Sequence, residues 1–174
     1  MSTQDRELRT EFLAEKTAEL LEEHLVPVCP EMCAIASDIF FIGEKNELPV
    51  ADMIKERLQV YLDNDEDKDD AARAADEALI RSLDLSMERD AQTDFAGTIS
   101  RFYDSLGGEA QDGIAAYTQA VQQELGAPRA SYRIKDHEHA NFRDLIGYYT
   151  YTIFDISFVE FEAYMLMLVF GSDE

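Results

Sequence analysis

The chain has 174 residues, a formal net charge of −22 at pH 7 and a pI near 4.3. Its hydrophobic fraction of 46% is ordinary for a globular protein, so the charge is not that of a disordered tail. This balance excludes direct binding to nucleic acid or to anionic lipid, which both require basic surfaces, and it favours a basic protein or a metal ion as partner.

The first predicted helix covers residues 3–25. Ser2 and Asp5 have the spacing of a capping pair, and Pro27 ends the helix. Its apolar stripe is expected to consist of Leu8, Phe12, Leu20, Leu21 and Leu25.

Three further helices are predicted in the next part of the chain. Pro30 suits a first helical position, and a 3.6-residue apolar period continues from there to about Gly43. Pro49 opens the following helix. Its inward-facing residues are expected to be Met53, Ile54, Leu58, Tyr61 and Leu62. The alanine-rich run at residues 71–83 is the third.

Two helices in the second half have clear stop signals. The first covers residues 95–106 and ends at Gly107, where a left-handed residue is expected. The second covers residues 110–125 and is closed by Gly126 and Pro128. Residues 127–135 are expected to form a loop.

The C-terminal segment, residues 142–170, fits two structures. Tyr149, Tyr151 and Ile153 alternate as in a strand, and the segment is rich in aromatic and β-branched residues. It also keeps a helical period, shows no turn signal between two strands, and is followed by Gly171, as a helix would be. We favour a long, buried helix over strands in residues 148–161. The sequence thus predicts an all-α fold, a single-domain bundle of six to seven helices over residues 1–174 with a long aromatic-rich C-terminal helix.

The expected compartment is the cytoplasm. No apolar run follows Met1, and the C-terminal apolar stretch is interrupted by Asp155 and Glu160, so neither a signal peptide nor a membrane span is predicted. Cys29 and Cys33 do not have the spacing of a CxxC metal motif, and we expect two buried free thiols.

The acidic residues are ordered along the chain. A row of glutamates recurs at every fourth position of the first helix: Glu7, Glu11, Glu15, Glu19 and Glu23. A second cluster crowds the stretch between two predicted helices: Asp63, Asp65, Glu66, Asp67, Asp69 and Asp70. Like charges four residues apart destabilise a helix by about 0.2–0.5 kcal/mol per pair, so stability does not explain the row.

Two stretches partly resemble metal sites. Residues 63–70 have acidic residues where an EF-hand loop needs them, but Lys68 replaces the sixth-position glycine and Ala74 the closing glutamate. His137 and His139 lie among acidic residues, yet on a helix they would diverge. We therefore expect no metal and no cofactor.

Catalytic motifs such as GxSxG, HExxH and Glu-x-x-His are also missing, and we expect a protein that is not an enzyme.

The charge pattern suggests a function. On a helix the glutamate row would form a gently winding line of charge about 24 Å long, similar to the phosphates of a nucleic-acid strand. DNA mimics of this kind occur among anti-restriction and anti-CRISPR proteins, which is an analogy in charge pattern. We hypothesise an inhibitor that binds a basic, nucleic-acid-binding protein through both acidic groups and occupies its nucleic-acid-binding surface.

Two alternatives share the acidity. An immunity protein that neutralises a basic toxin would display its acid on one face. A halophile-adapted helical protein of unrelated function would spread the acid over all exposed faces. Residues 63–77 contain eight acidic residues against Lys68 and Arg73, and this clustering favours binding over adaptation to salt. A glutamate-rich outer face is also common on amphipathic helices without any binding role.

Overall fold

The structure is a computed structural model that describes residues 2–30, 33–43, 50–91, 93–107, 109–134, 143, 145 and 151–173, except for the side chains of Val50 and Tyr61. Its main elements, in chain order, are α1 (Thr3–His24), β1 (Cys33–Phe41), α2 (Val50–Asp63), α3 (Asp70–Ser82), β2 (Met87–Arg89), α4 (Phe95–Ser105), α5 (Gln111–Leu125), β3 (Ala130–Ile134), β4 (Ile153–Glu160) and β5 (Tyr164–Ser172). A 3-10 turn, Val26–Val28, follows α1.

The predicted all-α fold is wrong. The protein contains a five-stranded antiparallel sheet with the strand order β1-β5-β4-β3-β2. The long C-terminal helix predicted for residues 142–170 is replaced over its described C-terminal part by the β4–β5 hairpin. The aromatic residues of β4, β5 and the turn between them are buried as predicted, but in a hairpin and not in a helix: Phe154, Phe158, Phe161, Tyr164 and Phe170.

Helices cover both faces of this sheet, which explains the error. Helices α1, α4 and α5 pack on one face, and α2 and α3 pack on the other. Successive residues of β5 therefore enter different cores, Leu166 and Leu168 the first and Met165 and Val169 the second. A strand that is apolar on both sides loses its alternation, and its period no longer distinguishes it from a buried helix.

The same ambiguity affects two other predictions. The helix predicted from Pro30 to Gly43 is strand β1, in which Ile39 faces the first core and Phe40 the second. The loop predicted for residues 127–135 contains strand β3, and the short strand β2 has no counterpart among the predicted elements. The helices predicted elsewhere are confirmed as α1 to α5, within a few residues at their ends.

The position of α1 depends on a close approach to α5 at Gly113. A Cβ atom at this residue would lie 2.5 Å from the carbonyl oxygen of His24 and 2.9 Å from Cγ2 of Val28. Glycine is therefore required for the two helices to pack at this distance. At the other end of α1, the Arg6 guanidinium lies over the Phe41 ring of β1, 4.8 Å from its centre.

Two tyrosines in the first core differ in their hydrogen bonds. The Tyr103 hydroxyl donates to the Leu25 carbonyl oxygen at 2.9 Å. The Tyr117 hydroxyl, which is equally buried, has no hydrogen-bond partner among the residues that the structure describes. Burial raises the pKa of both phenols.

We expect phenylalanine at these two positions to change stability in opposite directions. Tyr103→Phe loses a hydrogen bond and should lower the free energy of unfolding by about 1 kcal/mol. Tyr117→Phe removes a buried polar atom without a partner and should raise it by about 1 kcal/mol. Urea denaturation followed by circular dichroism measures both. Equal destabilisation by the two variants would show that the Tyr117 hydroxyl is satisfied in solution.

Candidate partner-binding surface

Helix α1 carries the first group of predicted contact residues, and local hydrogen bonds fix its start. The Ser2 hydroxyl accepts a hydrogen bond from the Asp5 backbone N–H at 3.1 Å, and the Asp5 carboxylate accepts one from the Ser2 backbone N–H at 3.2 Å. The predicted capping pair is therefore confirmed. The Ser2 hydroxyl also donates to the Asp5 carboxylate, and these hydrogen bonds lower the pKa of Asp5.

The glutamate row lies on the solvent side of α1. Its five members are all exposed: Glu7, Glu11, Glu15, Glu19 and Glu23. The opposite side of the helix is held in the core by Leu13, Leu20 and Leu21. With a rise of about 1.5 Å per residue, the row forms a line of charge about 24 Å long.

Little positive charge lies against the N-terminal part of this row. Lys16 pairs with Glu19, its Nζ atom 3.3 Å from the carboxylate. Within the described part of the chain, Glu7, Glu11 and Glu15 form no ion pair. These three carboxylates are therefore available to an external cation.

Two apolar residues of α1 contradict the sequence prediction. The sequence predicts Leu8 and Phe12 in the apolar stripe, but these residues are 59% and 48% exposed. Helix α1 reaches the core only from Leu13 onward, and the described residues before that point are exposed or partly buried. The other members of the stripe are buried as predicted: Leu20, Leu21 and Leu25.

The second acidic cluster, residues 63–70, is built into the connection between α2 and α3. Asp69 caps α3, since its Oδ1 atom accepts a hydrogen bond from the Ala72 backbone N–H at 2.7 Å. Lys68 pairs with Asp76 and Asp65, and the hydrogen bond to Asp76 raises the pKa of this lysine. Part of the acid in this cluster thus has local structural partners.

The structure does not bring the two acidic groups together. Helix α1 packs on one face of the sheet, whereas α2 and α3 pack on the other. The glutamate row and residues 63–70 therefore form two separate surfaces on opposite sides of the sheet. A partner surface that follows α1 meets only the row.

The structure bears on the candidate metal ligands and on the two cysteines. Among the described residues, no three His, Cys, Asp or Glu side chains form a group that could hold a metal ion. His137 and His139 lie outside the described residues. Cys29 and Cys33 form no disulfide, in agreement with the predicted thiols, but they are only partly buried, so the predicted burial is wrong.

A buried ion cluster under α4 was missed from the sequence. Asp155 of β4 is 6% exposed, and its carboxylate lies 3.3 Å from Arg101 Nη2 and 2.8 Å from Arg133 Nη2. Arg101 also donates to the Asp90 carboxylate and to the Ser157 hydroxyl, both at 2.9 Å. The cluster ties α4 to strands β3 and β4. The sequence pattern that could have revealed this cluster is the alternation of Asp155 and Ser157 with apolar residues, because alternate residues of a strand lie on the same face.

An open depression of about 570 Å³ borders this cluster. Its lining residues are Thr93, Asp94, Gly97, Ser100, Arg101 and Asp104. Asp94 caps α4 by accepting a hydrogen bond from the Gly97 backbone N–H at 2.7 Å, and Arg101 is held by two carboxylates. Two of the charged side chains that line this depression, Asp94 and Arg101, thus already have structural partners.

No protein-family model, curated protein or solved structure matches the chain. None of the described helices combines the length and the apolar character needed to cross a lipid bilayer. The functional proposal therefore rests on the charges, exposure and contacts of this chain alone.

We expect Asp155→Ala to destabilise the protein by about 3–5 kcal/mol, because it leaves two arginines beside a buried site without their shared carboxylate. The matched control is Glu162→Ala, since the ion pair of Glu162 with Arg129 at 3.4 Å is exposed and should contribute less than about 1 kcal/mol. Urea denaturation gives both values. Similar, small losses in the two variants would contradict an anchoring role for Asp155.

Proposed function

We propose that this protein is a non-enzymatic inhibitor that uses helix α1 to occupy the basic nucleic-acid-binding surface of a partner protein. The observation that carries the proposal is the exposed glutamate row, in which Glu7, Glu11 and Glu15 have no ion-pair partner among the described residues. These carboxylates repel one another in the free protein. A surface of arginine and lysine would replace that repulsion by attraction on binding.

The shape of the row supports this class of partner. Successive glutamates lie about 6 Å apart along the axis and advance by about 40° around it, so the charge follows a slow curve. Basic side chains that follow a nucleic-acid backbone are arranged along a similar curved line of phosphates. Inhibitors of the anti-restriction and anti-CRISPR type act by this kind of substitution, and this is the class to which we assign the protein.

The second acidic surface has a different part in the proposal. Residues 63–70 lie on the other side of the sheet, so they add to the long-range field and do not join the contact made by α1. Their field acts over roughly 8–10 Å at physiological salt, which is short compared with the protein. The row on α1 is therefore the principal contact surface.

The distribution of acid argues against adaptation to salt. Helix α1 contains seven acidic residues: Asp5, Glu7, Glu11, Glu15, Glu19, Glu22 and Glu23. The neighbouring helix α5 contains two, and its exposed side is largely neutral: Gln111, Gln119, Gln122 and Gln123. An immunity protein that neutralises a basic toxin is the remaining alternative. It would also bind a basic protein surface, but its partner would be a toxin.

The identity of the partner is tested by affinity capture from the native host at low and high salt. We expect a nuclease or another DNA- or RNA-binding protein that is retained at low salt and displaced by added duplex, because affinity carried by charge falls as salt rises. A retained toxin encoded beside this gene would support the immunity function instead. If nothing basic is retained and the protein unfolds below molar salt, the proposal is wrong and the acid is an adaptation to brine.

The contact surface is tested with two triple variants of equal charge change. Glu7→Gln/Glu11→Gln/Glu15→Gln should lower the affinity for the captured partner at least tenfold, about 1.4 kcal/mol, and reduce its salt dependence. The control adds three lysines at exposed positions on the opposite side of the sheet, Ala74→Lys/Ala75→Lys/Ala78→Lys. It should change the affinity much less. Equal losses in the two variants would mean that net charge, and not α1, determines binding.

A further inference from the structure

The N-terminal half of α1 exposes two large apolar side chains beside the glutamate row. Among the described residues, the exposed large hydrophobic side chains are Leu8, Phe12, Val26 and Val60. Leu8 and Phe12 are four residues apart on helix α1, so their side chains are neighbours on its surface. Exposure of both is costly in water, and an apolar surface rimmed by polar residues is typical of a protein interaction site.

The surroundings of this pair are charged. On a helical surface Leu8 is next to Glu11, and Phe12 is next to Glu15, three residues further along. The Arg9 guanidinium lies over the Phe12 ring, 5.1 Å from its centre, and leaves nearly half of the side chain exposed. The face therefore consists of a short apolar ridge with carboxylates along one side and the Arg9 guanidinium against Phe12.

We propose that this face of α1 docks a cationic amphipathic helix of the partner protein. The apolar side of that helix packs on Leu8 and Phe12, and its lysine and arginine side chains reach Glu7, Glu11 and Glu15. This inference rests on the proposed function and names the element of the basic partner that α1 contacts. The side chains of Leu8 and Phe12 are thereby removed from water in the complex.

The geometry favours a helix as the occupant. Side chains at positions i and i+4 form a ridge that packs into the groove of another helix, and charged residues beside such a seam select the partner by opposite charge. The first part of α1, up to Phe12, contains no buried residue, so a second helix can lie along it. A basic helix is also the element that many proteins insert into the major groove of DNA. Covering it with α1 would prevent that insertion.

Charge argues against two other occupants. A second copy of this chain also carries a net charge of −22, and pairing two α1 helices would place their glutamate rows side by side. An anionic lipid surface is repelled for the same reason. A polycation without apolar side chains would neutralise the row but leave Leu8 and Phe12 in water.

Three fluorescent peptides of equal length and charge test the inference. The first is an amphipathic leucine–lysine helix, the second is a scrambled peptide of the same composition, and the third has alanine in place of leucine. Fluorescence anisotropy at low and high salt measures their binding to the whole protein. The wild type should bind the amphipathic helix at least about tenfold more tightly than either of the others, because only that peptide buries the apolar pair.

The variants separate the apolar from the ionic contribution. Leu8→Ala/Phe12→Ala should remove the preference for the amphipathic helix and leave the salt dependence unchanged, while thermal stability stays near that of the wild type because both side chains are exposed. Val60→Ala is the matched control, since Val60 is 49% exposed on α2 at the other side of the sheet. It should leave the preference intact. Glu7→Gln/Glu11→Gln/Glu15→Gln should weaken all three peptides alike and reduce their salt dependence.

Three results would overturn the inference. Equal binding of the three peptides by the wild type, with strong salt dependence, would leave the proposed function standing and remove the docked helix from it. A wild-type dimer that Leu8→Ala/Phe12→Ala converts to a monomer would show that a second copy covers the face. If no cationic peptide binds the wild type even at low salt, the proposed function fails as well.

Discussion

Strands β4 and β5 lie at the centre of the sheet with helices on both faces, so nearly all of their side chains must be removed from water. Every residue from Phe154 to Val159 is buried. Most acidic residues in the described part of the chain consequently lie in loops and on the outer sides of helices. Among those carried by strands, Asp38 and Glu88 lie on the two edge strands β1 and β2, and Glu160 ends β4. Asp155 is the exception within this stretch, and it is accommodated by contact with Arg101 and Arg133. The layered core thus determines where the charge of this protein can be displayed.

The same constraint divides α1 into two parts. The part from Leu13 onward is fixed in the core through Leu13, Leu20 and Leu21 and through the close packing at Gly113. The part up to Phe12 contributes no buried residue and is supported by its capping box and by the contact of Arg6 with Phe41. A regular helix anchored at one end can present a row of charge in a defined geometry, which a loop of equal charge cannot.

Sequence patterns predicted the helices well and the sheet poorly, for a physical reason. Helices with one buried side keep a clear period, and their caps and glycine stops marked their ends. Strands covered on both sides lost the alternation that identifies a strand, and the β4–β5 turn at Glu162 and Ala163 contains no glycine or proline. The exposure of the glutamate row followed from the helix period. The exposure of Leu8 and Phe12 did not, because a period indicates which residues share a side of a helix and not how far the core extends along it.

This last failure bears on specificity in the proposed complex. Carboxylates alone would attract any basic protein, and their attraction is felt mainly in the rate of encounter. Apolar side chains buried in a contact act at short range, and aromatic side chains among them often carry much of the binding energy. A row of glutamates for encounter and an adjacent apolar pair for retention would let α1 distinguish a helix of matching pattern from other basic surfaces. Under this proposal, the exposed Leu8 and Phe12 supply the selectivity that the carboxylates of the row alone would lack.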